Sequence, residues 1–364
     1  MNRRLPYMAL ALLVAASLLA ACGAPATPAA TEPPMTEAPT EVATEAPASD
    51  IGTPEHPIKV LFVPSVEANM IVTGGEVMAT ALNEATGLTF EVSVPTSYAA
   101  TIEEMCASPT DTMGFIPGLG YALASQLCGV DVAFKAVRFG YDSYWAQFLV
   151  ARDSDIQGIE DLAGKKWGYG DPGSTSGYMV PLVMMQEAGV QWGEEVQTGG
   201  HNQSVQAVYD GEVDFATTFY SWPTDETTKE AVSTPGQYDI PDDLIESCGL
   251  NADGNLVCGN LRVRDARANI REGAPDVVQK VKILMISGDI PNDTLSFGPE
   301  FPADLRAQIE AALVAFAETE AWADSIGNQD FYDWSGLSPA TDADYDMVRA
   351  MVTATGMTLE SLGE

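Results

Sequence analysis

The segment Asp171-Pro172-Gly173-Ser174-Thr175-Ser176-Gly177-Tyr178 sets three successive hydroxyl side chains between glycines, where a short strand-like run gives way to a helix-like one. Hydroxyls there donate hydrogen bonds. The first turn of a helix adds backbone N–H groups without helical partners, backed by the positive end of the macrodipole. Together these make an anion site that needs no lysine or arginine. A plain N-cap after an Asp-Pro turn would use only one hydroxyl, so three in a row favour a ligand. The chemistry expected is the grip of a small anion rather than a reaction. No nucleophile with its base and no carboxylate dyad stands out, and the chain is read as a non-enzyme without cofactor. Its histidines are His56 and His201 alone, no CxxC occurs, and no metal site is expected.

The elements that must position these residues alternate through the body. Residues 58–63, 88–94 and 112–116 read as strands, with helices over 74–86, 97–106 and 119–127. A long strand over 144–151 precedes a second set, with strands at 166–169, near Glu195 and at 213–217, and helices over 176–188 and 203–210. The alternation predicts an α/β protein of two lobes, each a mostly parallel sheet flanked by helices. A strand over 281–290 and a helix over 302–323 predict a return to the first lobe, so two crossings form a hinge. The expected boundaries are 57–148 for the first part of lobe 1, 149–284 for lobe 2, and 285–364 for the return with its C-terminal helices. Residues 224–270, rich in Thr, Pro, Asp and Gly, read as an insertion in lobe 2.

The chain opens with Arg3 and Arg4 before an apolar run from Met8 to Ala21, the pattern of a secretory signal over 1–21. The run is too short to span a bilayer. Leu19-Ala20-Ala21-Cys22-Gly23 resembles a lipobox, which makes Cys22 the expected lipidation site. Residues 22–56, largely Ala, Thr, Pro and Glu, bury too little to fold and read as an extended tether. The expected location is extracytoplasmic, in the periplasm or on the outer face of the cell membrane, with Cys22 the only membrane attachment.

With Cys22 acylated, Cys106, Cys128, Cys248 and Cys258 remain, an even number in an oxidising compartment. Three pairings are open. The favoured one ties Cys106 to Cys128 across two neighbouring helix ends and staples a loop with Cys248 and Cys258. The 17 basic and 52 acidic side chains give a net charge of −35, which repels nucleic acid. Such a charge bears on solubility more than on a buried cradle of donors.

Asp-Pro-x-Ser-Thr-Ser-Gly, preceded by Asp161-Leu162-Ala163-Gly164-Lys165 and followed by Gly199-Gly200-His201 and Ala207-Val208-Tyr209-Asp210-Gly211-Glu212-Val213-Asp214, resembles the phosphonate-, phosphite- and phosphate-binding proteins of ABC importers. The similarity runs from Phe115-Ile116-Pro117-Gly118-Leu119-Gly120-Tyr121 to Ile290-Pro291-Asn292-Asp293. It implies a type II periplasmic-binding-protein fold, a monomeric clamp that closes on a small phosphorus oxyanion and delivers it to an ABC permease. It also implies that the hydroxyls of Ser174, Thr175 and Ser176 grip the phosphoryl oxygens. His201 would donate from its imidazole. Tyr98 and Tyr144 match cleft tyrosines, each giving one donor and an apolar wall. Asp293 matches a cleft aspartate able to accept from a P–OH group, which sulfate lacks. In one departure, Thr217-Thr218-Phe219-Tyr220-Ser221-Trp222-Pro223 places Trp222 where binders of aminoalkylphosphonates carry an acid. An aromatic lid there would favour a compact ion or a small apolar tail. Two other readings use the same fold, a sensory ligand-binding protein and a ferric-iron clamp built on Tyr98, Tyr144, His201 and Asp293.

Overall fold

The computed structural model describes residues 50–234 and 236–362. The signal segment, Cys22 and the tether up to residue 49 lie outside them. The folded body starts earlier than Pro57, because Asp50–His56 closes a turn fastened by its histidine: His56 Nδ1 lies 3.2 Å from Asp50 and Nε2 lies 3.0 Å from Asp111.

The first lobe opens with β1 (Ile58–Phe62), α1 (Ala68–Thr86), β2 (Phe90–Ser93), α2 (Tyr98–Ala107), β3 (Thr112–Ile116), α3 (Gly118–Cys128) and β4 (Asp131–Val137). The second follows with β5 (Ser143–Ala151), β6 (Trp167–Tyr169), α4 (Val180–Glu187), β7 (Glu195–Gln197), α5 (His201–Tyr209) and β8 (Phe215–Tyr220). Next come β9 (Thr224–Asp225), β10 (Gly249–Leu250), β11 (Leu256–Cys258) and β12 (Leu261–Arg262), then α6 (Val277–Lys280), β13 (Val281–Ile286) and β14 (Ile290–Pro291). The chain ends in β15 (Thr294–Phe297), α7 (Ala303–Ala317), β16 (Gly336–Pro339) and α8 (Asp346–Thr355).

The first sheet has the order β16-β4-β15-β3-β1-β2, and the second β13-β5-β8-β6-β7 with β14 also on β5. Strands β1, β3 and β5 are apolar almost throughout and buried, which supplies the core of each lobe. Pairing is less parallel than the alternation suggests. Among the described residues only β2-β1-β3 and β8-β6-β7 run parallel. The cause is the hinge: β5 and β15 each enter a sheet from the crossing end, so each runs against the neighbour whose carboxyl end faces the crossing.

Both crossings are short. The first is a two-residue turn in which Arg138 and Tyr141 exchange backbone bonds of 2.8 and 3.0 Å, with Phe139 at φ 53° and Gly140 at φ 86°, the pattern of a type I′ turn. The second runs through Asn292 and Asp293 between β14 and β15. All of β5 therefore belongs to the second sheet, from Ser143 rather than residue 149, and the chain stays there to Pro291 rather than 284.

Strands β9 to β12 form a separate antiparallel sheet of order β10-β11-β12-β9 within the segment 224–270. Its Cys248–Cys258 disulfide (2.03 Å) joins the start of β10 to the end of β11, while Cys106–Cys128 (2.07 Å) ties α2 to α3. These are the favoured pairings. The expected helix over 302–323 breaks after Ala317 and resumes as a short turn over Glu320–Asp324.

Candidate ligand-binding site

A cavity of about 70 Å³ lies between the two sheets at their carboxyl ends, where open α/β sheets place their ligands. The first lobe and its return contribute Ser65, Tyr98, Arg138, Asp293 and Tyr332; the second contributes Tyr144, Ser174, Ser176, His201, Phe219 and Ser221. Bonds across the cleft hold the lobes together around it. His201 N donates to Ser65 O at 3.3 Å, and Gln203 Nε2 donates to Glu67 Oε1 at 2.6 Å.

The three hydroxyls divide their duties. Ser174 Oγ accepts from Gly177 N at 3.0 Å, which is the N-cap bond, and the residue also lines the cavity. Tyr178 N and Met179 N both donate to Ser174 O at 3.1 Å, so Thr175–Met179 is a π-helical turn that leads into α4. Such turns recur at functional sites. Ser176 lines the cavity without cap duty. Thr175 does not line it. It is fully buried, and its Oγ1 accepts from Leu119 N at 2.9 Å, at the start of α3 in the opposite lobe. Its place in the row fixes a lobe contact rather than a cavity wall.

Tyr98 opens α2 behind the N-cap Ser97, and Tyr144 opens β5; both are buried. Burial pushes both phenols up, so each stays protonated and able to donate. For Tyr144 the Asp293 charge adds to the rise, while the Ser176 and Thr175 hydroxyls and Arg138 oppose it. His201 begins α5 and packs edge-on to Phe219 with ring centroids 5.1 Å apart. Burial first, and Arg138 second, lower its pKa to about 4. The ring is therefore neutral at pH 7, and among the described residues its buried Nδ1 has no partner. A buried polar atom left unpaired at a cavity is a place for a ligand atom.

Two expectations need correction. Asp293 lines the cavity but is already paired, with Arg138 Nη2 donating to its Oδ2 at 2.7 Å. Arg138 Nη1 also donates to Asn292 Oδ1 at 2.7 Å and Nε to Tyr332 O at 2.9 Å, so one side chain ties both crossings together at the cavity. The cavity therefore has a guanidinium in its wall. Trp222 does not reach the cavity. It packs against Trp145 and Tyr220, with centroids 5.7 and 5.3 Å away. Side chains alternate along an extended chain, so Phe219 and Ser221 face the cavity while Tyr220 and Trp222 turn away.

Among the residues missed, Phe219 and Ser221 were legible from that alternation had the cavity face been known. Arg138 carried only the weak signal of a Phe-Gly pair between two strand-like runs. Tyr332 and Asp333 carried none. Among the described residues, no group of three or more His, Cys, Asp or Glu side chains could hold a metal ion, and no helix is long and apolar enough to cross a membrane.

Two lobes joined by two crossings, closed on a cavity whose apolar wall carries convergent hydroxyls at the carboxyl ends of both sheets, define a solute-binding clamp. Residues 60–345 match the family described as the periplasmic phosphonate substrate-binding protein of ABC transporters, and the chain belongs to that family. The phosphate-import protein PhnD of Mycolicibacterium smegmatis is 27% identical over 84% of this chain and 87% of its own length. The phosphonates-binding periplasmic protein of Escherichia coli is 34% identical over 33% of this chain and 38% of its own. A binding component of an ABC phosphonate transporter from Pseudomonas aeruginosa shares the fold at a TM-score of 0.62 and 16% identity, covering 82% of this chain and 86% of that one. A structure from Prochlorococcus marinus in complex with methylphosphonate superposes at 0.60 and 13% identity, covering 82% and 98%. The relatives are transport binding proteins, not enzymes.

Proposed function

We propose that this chain is a lipid-anchored, extracytoplasmic binding protein that closes on a phosphonate, phosphite or phosphate and delivers it to an ABC permease. The observation that carries the reading is one enclosed cavity in which the hydroxyls of Ser174, Ser176, Tyr98 and Tyr144 meet the Arg138 guanidinium and the unpaired Nδ1 of His201. The four hydroxyls can each donate to an oxyanion. Arg138 also occupies Oδ2 of Asp293, one of the four groups of the ferric-iron reading, which weakens that carboxylate as a metal ligand. A cavity of about 70 Å³ suits a compact ion with at most a short substituent better than a bulky ligand. The names of the relatives, phosphate import in one and phosphonate binding in the other, support the same class.

The test is a thermal-shift panel of phosphate, phosphite, methylphosphonate, 2-aminoethylphosphonate and sulfate on the mature chain. A true ligand at about 100 times its Kd adds about 2.7 kcal/mol of stability. A panel in which no phosphorus oxyanion stabilises the protein overturns the reading. The anchor is tested by the intact mass of the exported protein, which should begin at an acylated Cys22.

A further inference from the structure

We propose that Arg264 reads the far end of the ligand, so that the site takes phosphonates whose substituent ends in a carboxylate; this rests on the phosphorus-oxyanion reading above. Arg264 lies two residues past the end of β12 and lines the cavity. With Gln329 and Asp333 it also lines a neighbouring pocket of about 350 Å³, which none of Ser174, Ser176, Tyr98 or His201 reaches. Arg264 therefore stands at the end of the cavity away from the hydroxyl cradle.

The side chain is held firmly and bonded poorly. Its guanidinium carbon lies 4.4 Å from the centroid of the Phe139 ring, and Nε donates to Thr224 Oγ1 at 3.0 Å. The nearest acid, Asp333 Oδ2, is 3.6 Å from Nη1, beyond a good hydrogen bond. Among the described residues neither Nη1 nor Nη2 has a hydrogen-bond acceptor. The two residues that flank it are both strained, Phe139 and Asp333 each sitting at φ 53°, a region non-glycine residues enter at a cost. Asn-Gly would make the same turn without that cost. Phe139-Gly140 instead keeps a ring beneath the guanidinium.

A desolvated cation short of partners gains from an incoming anion. Burial lowers Arg264 to about 10 and pushes the Asp333 carboxyl up, and at 3.6 Å Asp333 leaves the guanidinium's Nη1 and Nη2 without a hydrogen-bonded acceptor among the described residues. A carboxylate accepts two parallel bonds from a guanidinium, whereas an ammonium group would be repelled.

Calorimetric titration of the mature chain with phosphate, methylphosphonate, phosphonoacetate and 2-aminoethylphosphonate tests this. The wild type should bind phosphonoacetate at least ~10-fold more tightly than 2-aminoethylphosphonate, and Arg264→Gln should cut the affinity ratio of phosphonoacetate to methylphosphonate by ~10-fold or more. If that variant does not fold, the wild-type order decides alone. Equal affinity for the two substituted phosphonates, a preference for the amine, or an unchanged ratio in Arg264→Gln overturns the inference. Binding of phosphate or methylphosphonate without the carboxylate preference overturns it and leaves the oxyanion reading standing; binding of none of the four overturns both.

Discussion

Ser176→Ala separates anion grip from fold stability most cleanly. Ser176 lines the cavity and has no cap duty, in contrast to Ser174, whose Oγ takes the Gly177 amide. A neutral hydroxyl donating to a charged oxygen contributes about 1.5 to 3 kcal/mol. Converted at about 1.4 kcal/mol per tenfold, the loss raises Kd about 10- to 140-fold. The free protein should change by less than about 1 kcal/mol, because the hydroxyl caps no helix and its interaction is with the neutral Tyr144 phenol. Calorimetry with methylphosphonate reads the first number and urea denaturation of ligand-free protein the second. Ser174→Ala should lose both binding and about 0.5 to 2 kcal/mol of cap stability. A Ser176→Ala protein whose Kd rises less than about threefold would show that this hydroxyl does not touch the anion and that the cradle is wrongly placed.

Thr175→Val should destabilise ligand-free protein by about 1 to 3 kcal/mol, since it strips the Leu119 amide of its acceptor inside a lobe contact; denaturant titration checks this. His201 has an ordinary pKa of 6.5 when exposed and about 4 in the fold, so folding favours the neutral ring. Its contribution is complete above about pH 6.5 and lost as pH falls toward 4. The wild type should therefore lose up to about 3 kcal/mol relative to His201→Gln across that window in thermal denaturation. Reduction should cost about 3 kcal/mol per disulfide, slightly more for the longer Cys106–Cys128 loop, and Cys106→Ser and Cys248→Ser with their partners also replaced would apportion it by Tm.

The parts of the fold legible in sequence were those whose signal is local. β1 and β3 are short apolar runs between turn residues, and their bounds were read almost to the residue. β15 was invisible because Thr-Leu-Ser-Phe looks half polar. It is wholly buried, with Thr294 Oγ1 donating to Ile116 O and Ser296 Oγ to Thr294 Oγ1. The cradle was legible for a similar reason, since strand, glycine, hydroxyls and helix lie within a few residues. Arg138 was not, because its meaning lies in Asn292 and Asp293, 154 and 155 positions away. Trp222 failed by parity: a segment placed correctly but without its facing assigns the wrong half of its side chains.

The cavity wall has two origins. Ser174, Ser176, His201 and Tyr144 stand on the second lobe's own strands and helix starts, whereas Val263, Arg264, Ala268 and Asn269 lie on the chain just after the small β9–β12 sheet. That sheet has its own disulfide and its own pairing. Substitutions along its exit can therefore reshape one side of the chamber while the cradle keeps its framework. In engineering terms the β12 exit is a separable wall, a place where the chamber's shape can be changed without touching the turn that carries Ser174 and Ser176.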